Sequence, residues 1–409
     1  MKEKMIKKTF VVLMMMVFIV GFVCHANAAE KKKIAISMIP HLTGAYSGSF
    51  QGILEGFEDC IEYLNSINYV PGVELVMLWA DGATDTAKTL AGFKKLLAEK
   101  PKPVAVIGCG TPFSLALKKA CIKNKVPDLS AGSDDSFGFL PSWTFSAQLP
   151  YPNMAGAWVD YYLEHLWKDK SRKPRFAFLT WDNAAGRNFT TKNVKNYIKS
   201  KGVEIVSEEY IPIIPTDTTP QLMRLKQKKV DFTFGGMFFT TISVVLKDMQ
   251  KLGMIDKIKM GYWWSAYPSL LIKKAGALAN GIYFTNDRYW TEEISAEKGF
   301  VPWKIYEAKR KGKFAYNMYY AGGWYYPMLA AEAIRIATAD VGADKVDGTA
   351  VYKALQKMKG FDVLGTSLPV SFGPERRFGI TNQTLMSRIK GGKNEYLGAY
   401  PAPDLRRKK

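Results

Sequence analysis

Histidine and cysteine are scarce in this chain, and their scarcity removes several kinds of chemistry at once. Among 409 residues there are three histidines and four cysteines. No H-E-x-x-H pattern and no paired-cysteine spacing offers a metal site, so no metal ligand is expected. Once the N-terminal stretch holding Cys24 is set aside, Cys60, Cys109 and Cys121 remain, an odd set that permits one disulfide at most. No G-x-S-x-G elbow accompanies a plausible serine, histidine and acid triad, which argues against a hydrolase. Gly108-Cys109-Gly110 lacks the third glycine of the dinucleotide fingerprint, so no dinucleotide cofactor is expected. These absences predict a protein with no catalytic residues, no cofactor and no metal.

Acidic residues are also in the minority, 37 against 57 lysines and arginines, for a formal net charge of +20. A basic surface favours acidic solutes or polyanions. The lysines around 31–33, 226–229 and 309–313 are scattered, however, and read as solvated faces. Without an arginine-rich or zinc-finger-type motif, no nucleic-acid partner is expected. Long apolar runs are absent apart from one, residues 10–23, which follows Lys2, Lys4, Lys7 and Lys8 and precedes Ala26-Asn27-Ala28. That is the pattern of a signal peptide over residues 1–28, too short for a comfortable membrane span. The mature protein is therefore expected to be exported, soluble and periplasmic. Lipidation at Cys24 is disfavoured by Val23 before it.

Apolar residues make up 47% of the chain and charged residues 23%, enough for two domains with real cores. Strand patterns alternate with helix patterns. Strands are predicted over 33–39, 73–79 and 104–107, with helices over 50–64 and 86–99 between them. After residue 149 the alternation restarts. Helices are predicted over 154–167, 188–201 and 242–251, and strands over 175–181, 204–210, 230–234, 259–263 and 281–285. Long helices over 319–339 and 347–358 follow, then closing strands over 363–372 and 385–389. This is the order of doubly wound α/β units with parallel sheets. Residues 104–136 form a unit of buried strand, glycine turn with hydroxyls, helix, strand and small polar loop. Thr111 is placed to cap its helix and Pro112 to open it. A second unit over 230–265 repeats that order, with Gly235 and Gly261 in the places of Gly108 and Gly132. Two similar lobes whose strand ends face each other would enclose a ligand cleft.

The segments LTGAYSG with GILEGF, VIGCGTPFSLAL with VPDLSAGS, QLPYPNMAGAWVDYY, DFTFGGMFF and YYAGGWYYPMLAAEAI, in this order and spacing, together resemble the periplasmic solute-binding proteins of ABC importers. Specifically, they are similar to the leucine/isoleucine/valine-binding, type I family. The resemblance implies two Rossmann-like lobes joined by three crossover strands and closing on a solute. Lobe one would comprise residues 30–147 plus 287–365, and lobe two residues 148–286 plus 366–409. It also implies a set of partners, a small-molecule solute and an inner-membrane ABC permease with its ATPase, and a monomeric receptor.

Site residues carried over from the family fall on Thr111 and Ser133 in lobe one, with Asp134 where the family has a threonine. The tyrosine of the first loop falls at Ser49, with Tyr46 nearby. In lobe two the aromatic after the double glycine falls on Met237 or Phe238. The family's tyrosine preceding glycine in the turn after Asp182 becomes Ala185, with Trp181 close by. The glutamate that grips an α-amino group falls in the Trp263–Trp264 region. An ammonium in a desolvated cleft needs an anion, so either Asp134 or Asp182 replaces that glutamate or the ligand has no ammonium. The expected function is capture of a small organic solute, amino-acid-like or an aromatic or hydrophobic carboxylate or amide. A ligand-sensing regulator of the same fold, or an exported hydrolase, are the alternatives.

Overall fold

Strand β3, Pro103–Gly108, is buried at every position, and β1, Lys32–Ile39, is buried from its third residue onward. Strands apolar on both faces need helices on both faces, and the computed structural model has that arrangement twice. It describes residues 31–47, 50 and 52–407; the expected signal peptide and Ser49 lie outside the described residues.

The first sheet has the order β2-β1-β3-β4-β5, with β2 at Val73–Trp79, β4 at Asp128–Ser130 and β5 at Thr144–Ser146. All its pairings are parallel. Helices α1 (Ile53–Ser66), α2 (Thr86–Leu96) and α3 (Thr111–Asn124) connect these strands. The second sheet has the order β12-β11-β10-β9-β8-β6-β7. Its parallel part comprises β6 (Arg175–Trp181), β7 (Glu204–Ile211), β8 (Phe232–Gly235), β9 (Lys259–Trp263) and β10 (Tyr283–Asn286). Counted from their own first strands, both units wind in the same order, so the repeat seen in residues 104–136 and 230–265 is a repeat of topology. Each therefore has a switch point, between β1 and β3 and between β6 and β8, where loops diverge and leave a crevice.

The second unit's helices are α4 (Tyr151–Tyr161), α5 (Ala184–Asn188), α6 (Lys192–Ser200), α7 (Thr219–Gln227), α8 (Phe239–Lys251) and α9 (Pro268–Ala275). The chain then returns through α10 (Glu292–Lys298), α11 (Val301–Lys309), α12 (Met318–Val341) and α13 (Gly348–Lys357) to pack on the first sheet's helices and strands. It crosses back to add an antiparallel hairpin, β11 (Gln383–Lys390) and β12 (Lys393–Pro401), to the second sheet. Helix α12 crosses α1 at two glycines. A Cβ on Gly323 would lie 2.3 Å from the Ile53 carbonyl oxygen, and one on Gly56 would lie 2.2 Å from the Tyr320 carbonyl oxygen. Backbone meets backbone there, which holds the cavity-facing side of α12 in place.

One expected strand is not formed. Residues 363–372 carry only isolated bridges, Phe361 to Val370 and Arg288 to Ser367. Leu364 and Gly365 have φ of 54° and 72°, and Pro369 supplies no N–H, so a regular ladder cannot run through them. Residues 377–379 then hydrogen-bond to Ser146 of β5 before the chain reaches β11. The signal for the final hairpin was read as a single strand over 385–389, because Gly391 and Gly392, both at positive φ, divide two strands of similar pattern.

Candidate functional site

A cavity lies beyond the carboxyl ends of the strands of both sheets. The first sheet contributes the loop after β1 and the start of α3. The N-cap of α3 is Gly110, at φ 131°, and Thr111 is its first helical residue rather than its cap. The Thr111 hydroxyl lies 2.8 Å from the Tyr151 hydroxyl of α4, so it bridges the two units. Gly132, following β4, presses on this corner. A Cβ there would sit 2.4 Å from Thr111 Oγ1 and 2.6 Å from its nitrogen. Tyr46 stands opposite, its ring parallel to Trp181 at 6.3 Å and edge-on to Phe238 at 5.1 Å. Burial pushes its phenol up to about 12, so it stays neutral and can donate a hydrogen bond.

The second sheet contributes the ends of β6, β8 and β9. Trp181 Nε1 donates to Thr241 Oγ1 at 3.0 Å, and Trp263 Nε1 donates to the Met237 carbonyl at 3.1 Å. These bonds leave the indole faces toward the cavity and tie off their polar edges. Phe238 packs edge-on to Trp181 at 4.4 Å and parallel to Tyr267 at 5.6 Å. Tyr267 holds φ at 53°, a strained conformation for a residue of its size, and its hydroxyl pairs with that of Tyr319 on α12.

Of the residues singled out in the sequence, Tyr46, Thr111, Trp181, Phe238, Trp263 and Trp264 line the cavity together. Three others do not reach it. The Ser133 hydroxyl accepts from Ser146 Oγ at 3.2 Å, inside the first unit. Asp134 caps the turn after it by accepting from the Ser136 N–H at 2.9 Å, with Arg407 Nη2 at 3.7 Å. Asp182 is exposed and paired with Arg187 at 2.6 Å. Each carboxylate offered as a substitute for the family's glutamate is thus engaged elsewhere by a cation, and among the described residues no Asp or Glu lines the cavity.

Sequence reasoning missed Tyr151, Tyr267, Trp290, Tyr319 and Tyr326 on the cavity wall. Tyr151 belonged to a segment read only as a crossover. Tyr319, Gly322 and Tyr326 make one face of α12 at helical spacing, and that face lines the cavity. Trp290 stands in the second crossing, where no periodic pattern marks a position. Cys109 also lines the cavity, 1% exposed, its thiol pushed up by burial and then by Asp128.

The fold is shared with known structures. A branched-chain amino acid ABC transporter protein from Thermus thermophilus with bound valine matches with a TM-score of 0.80 at 20% identity, covering 92% of this chain and 98% of that one. A fatty acid ABC transporter substrate-binding protein from Thermomonospora curvata matches at 0.74 and 17% identity, covering 92% and 94%. The branched-chain amino acid binding protein LivJ of Streptococcus pneumoniae, in complex with isoleucine, matches at 0.70 and 18%, covering 91% and 100%. A search of curated proteins by sequence gives no match. The family model described as periplasmic binding protein matches residues 33–393. Over that span, and with its two like-wound sheets enclosing one cleft, the chain belongs to the periplasmic binding protein family, as a solute-binding component with the type I fold.

Proposed function

We propose that this protein captures a small aromatic or hydrophobic solute lacking an α-ammonium group and delivers it to an ABC permease and its ATPase. The observation that carries this reading is the composition of the cavity wall: aromatic rings from both units, a few hydroxyls and, among the described residues, no carboxylate. An amino acid bound there would bury its ammonium without a paired anion, which costs several kcal/mol. An aromatic or aliphatic body instead exchanges water for ring faces, at about 25 cal/mol per Å2 of apolar surface removed. The fatty-acid binding protein that shares this fold supports a hydrophobic cargo for such a cleft.

In this reading lobe one is residues 30–147 plus 287–365 and lobe two residues 148–286 plus 366–409, with 377–379 strapped across the division onto β5. Family membership implies a periplasmic or extracellular location. No helix among the described residues is long and apolar enough to cross a membrane. We take the receptor to act as a monomer.

The experiment is a thermal-shift screen of the purified protein, freed of co-purified solute, against valine, leucine, aromatic acids, fatty acids and their amides. A solute at 100 times its Kd adds about 2.7 kcal/mol of apparent stability. Aromatic or aliphatic compounds without an ammonium should raise Tm while valine and leucine leave it unchanged. Micromolar binding of either amino acid would refute the proposal.

A further inference from the structure

A side chamber adjoins the main cavity, sharing Trp264, Tyr267, Trp290 and Met318 with it, and Arg288 stands in its wall. Arg288 follows β10 directly and is 3% exposed. Its guanidinium lies among four rings: Trp290 at 4.4 Å, Trp264 and Tyr325 each at 4.7 Å, and Tyr326 at 5.8 Å. Asp287 Oδ1 is 3.3 Å from Nε, and Asp287 Oδ2 accepts from the Leu149 N–H at 2.8 Å. The Tyr325 hydroxyl donates to the Ala147 carbonyl at 3.0 Å.

Nε of Arg288 faces Asp287 Oδ1, itself without a hydrogen bond, and the guanidinium touches the Tyr325 hydroxyl; among the described residues Nη1 and Nη2, with Nε1 of Trp264 and of Trp290, meet no acceptor in hydrogen-bonding geometry. Arginine carries five N–H donors and no acceptor. Buried polar groups are almost always satisfied, and a cluster of orphan donors calls for a missing acceptor. The chamber is thus rich in donors and already holds its own cation inside an aromatic cage. A cationic ligand group would find no carboxylate among the described residues of that wall. A carboxylate matches the guanidinium fork.

We propose that Arg288 and the indole N–H groups of Trp264 and Trp290 form an anion subsite at the end of the aromatic cavity. The solute is then an elongated aromatic or aliphatic acid whose carboxylate enters the side chamber. This rests on the aromatic-solute reading above and adds the ligand's charge and orientation to it. It also moves the anchor away from Thr111, whose hydroxyl is already engaged by Tyr151.

The test uses the full-length mature protein, stripped of solute, and intrinsic tryptophan fluorescence. The probes are 3-phenylpropionate and octanoate, each paired with its primary amide, against wild type, Arg288→Met and Arg288→Lys. In wild type, at least one acid should bind about 30-fold or more tighter than its amide. Arg288→Met should remove that preference by weakening the acid at least as much while leaving the amide within about threefold; Arg288→Lys should fall between. Equal binding of acid and amide overturns the subsite, as does a loss in Arg288→Met that is the same for both, which would mark an internal partner of Asp287 or a site filled by water. Amides binding without acids would leave the aromatic-solute reading standing and remove the subsite. Failure of all four probes at millimolar concentration counts against both. Should Arg288→Met not fold, the wild-type comparison and Arg288→Lys still decide.

Discussion

His41 shows how the first loop is fixed beside the cavity. Its ring is fully buried, 3.7 Å from Phe113 and 5.5 Å from Phe50 between centroids, and Nδ1 accepts from the Thr84 N–H at 3.1 Å. Burial lowers its pKa from 6.5 to about 4, against the pull of Asp81. The unfolded chain therefore binds the proton first, so this contribution is whole above pH 6.5 and is lost as pH falls toward 4, on the order of 3 kcal/mol. Asp128 acts in the opposite sense: burial raises it to about 7, so its contribution is lost as pH rises from about 4 through 7. Urea unfolding at pH 4.5 and 7.5 should show a smaller gain with pH in His41→Gln than in wild type, and a larger gain in Asp128→Asn. Parallel pH profiles for all three proteins would exclude this account. At this scale the sequence is legible where a residue ends a strand, as Trp181 and Trp263 do. Ser133 and Asp134 sit at a comparable strand end, but their side chains are taken up by Ser146 and Ser136, which no local pattern announces.

Helix α12 was foreseen nearly residue for residue, yet its role was not. Its Trp324, Met328, Ala331 and Ile334 stripe reads as a core face, but the helix is buried around its whole circumference from Tyr319 to Ile334. A helix apolar on every side gives no contrast from which to pick the face that lines a cavity. Two adjacent glycines make the difference testable. A Cβ on Gly322 would find Trp290 at an ordinary 3.7 Å, whereas one on Gly323 would strike the Ile53 carbonyl and lie 2.7 Å from the Phe57 nitrogen. Gly322→Ala should fold with a Tm near wild type and trim the cavity, lowering affinity for the bulkier of two homologous solutes. Gly323→Ala should lose about 1–3 kcal/mol of stability, read by urea midpoint. Equal stability of the two variants would mean that the α1–α12 contact is looser than it stands. The expected strand over 363–372 failed for a reason at the same scale, since its apolar alternation is interrupted by backbone that a ladder cannot accept.

The whole molecule is closed by contacts between its units that involve no solute. Besides the Thr111–Tyr151 and Tyr267–Tyr319 pairs, Asn188 Nδ2 donates to Asp135 Oδ1 at 2.8 Å, and the Arg407 N–H donates to Asp135 Oδ2 at 2.9 Å. Under the proposed function, solute capture would be a population shift between open and closed forms, which each bridge would bias by about 1 kcal/mol. Asn188→Ala should weaken solute affinity several-fold and enlarge the radius of gyration of the solute-free protein by small-angle scattering. An unchanged radius and unchanged affinity would argue that this pair does not bias closure. The two-unit plan was legible because alternating strand and helix patterns recur in order. The tail's passage along β5 was not, because it rests on Arg377, whose guanidinium is buried against Phe145 and donates to the Ser142 carbonyl, a partner 235 positions away in sequence.

The placement of the three thiols gives the protein a clock of its own. Cys60 and Cys121 are sealed in the cores of their unit, while Cys109 lies on the cavity wall. A maleimide reagent at alkaline pH should therefore modify Cys109 slowly, in proportion to the fraction of time the cavity is open, and Cys60 and Cys121 only when the chain unfolds. Bound solute would slow the first reaction in proportion to its residence, turning an unmodified protein into a recorder of its own breathing.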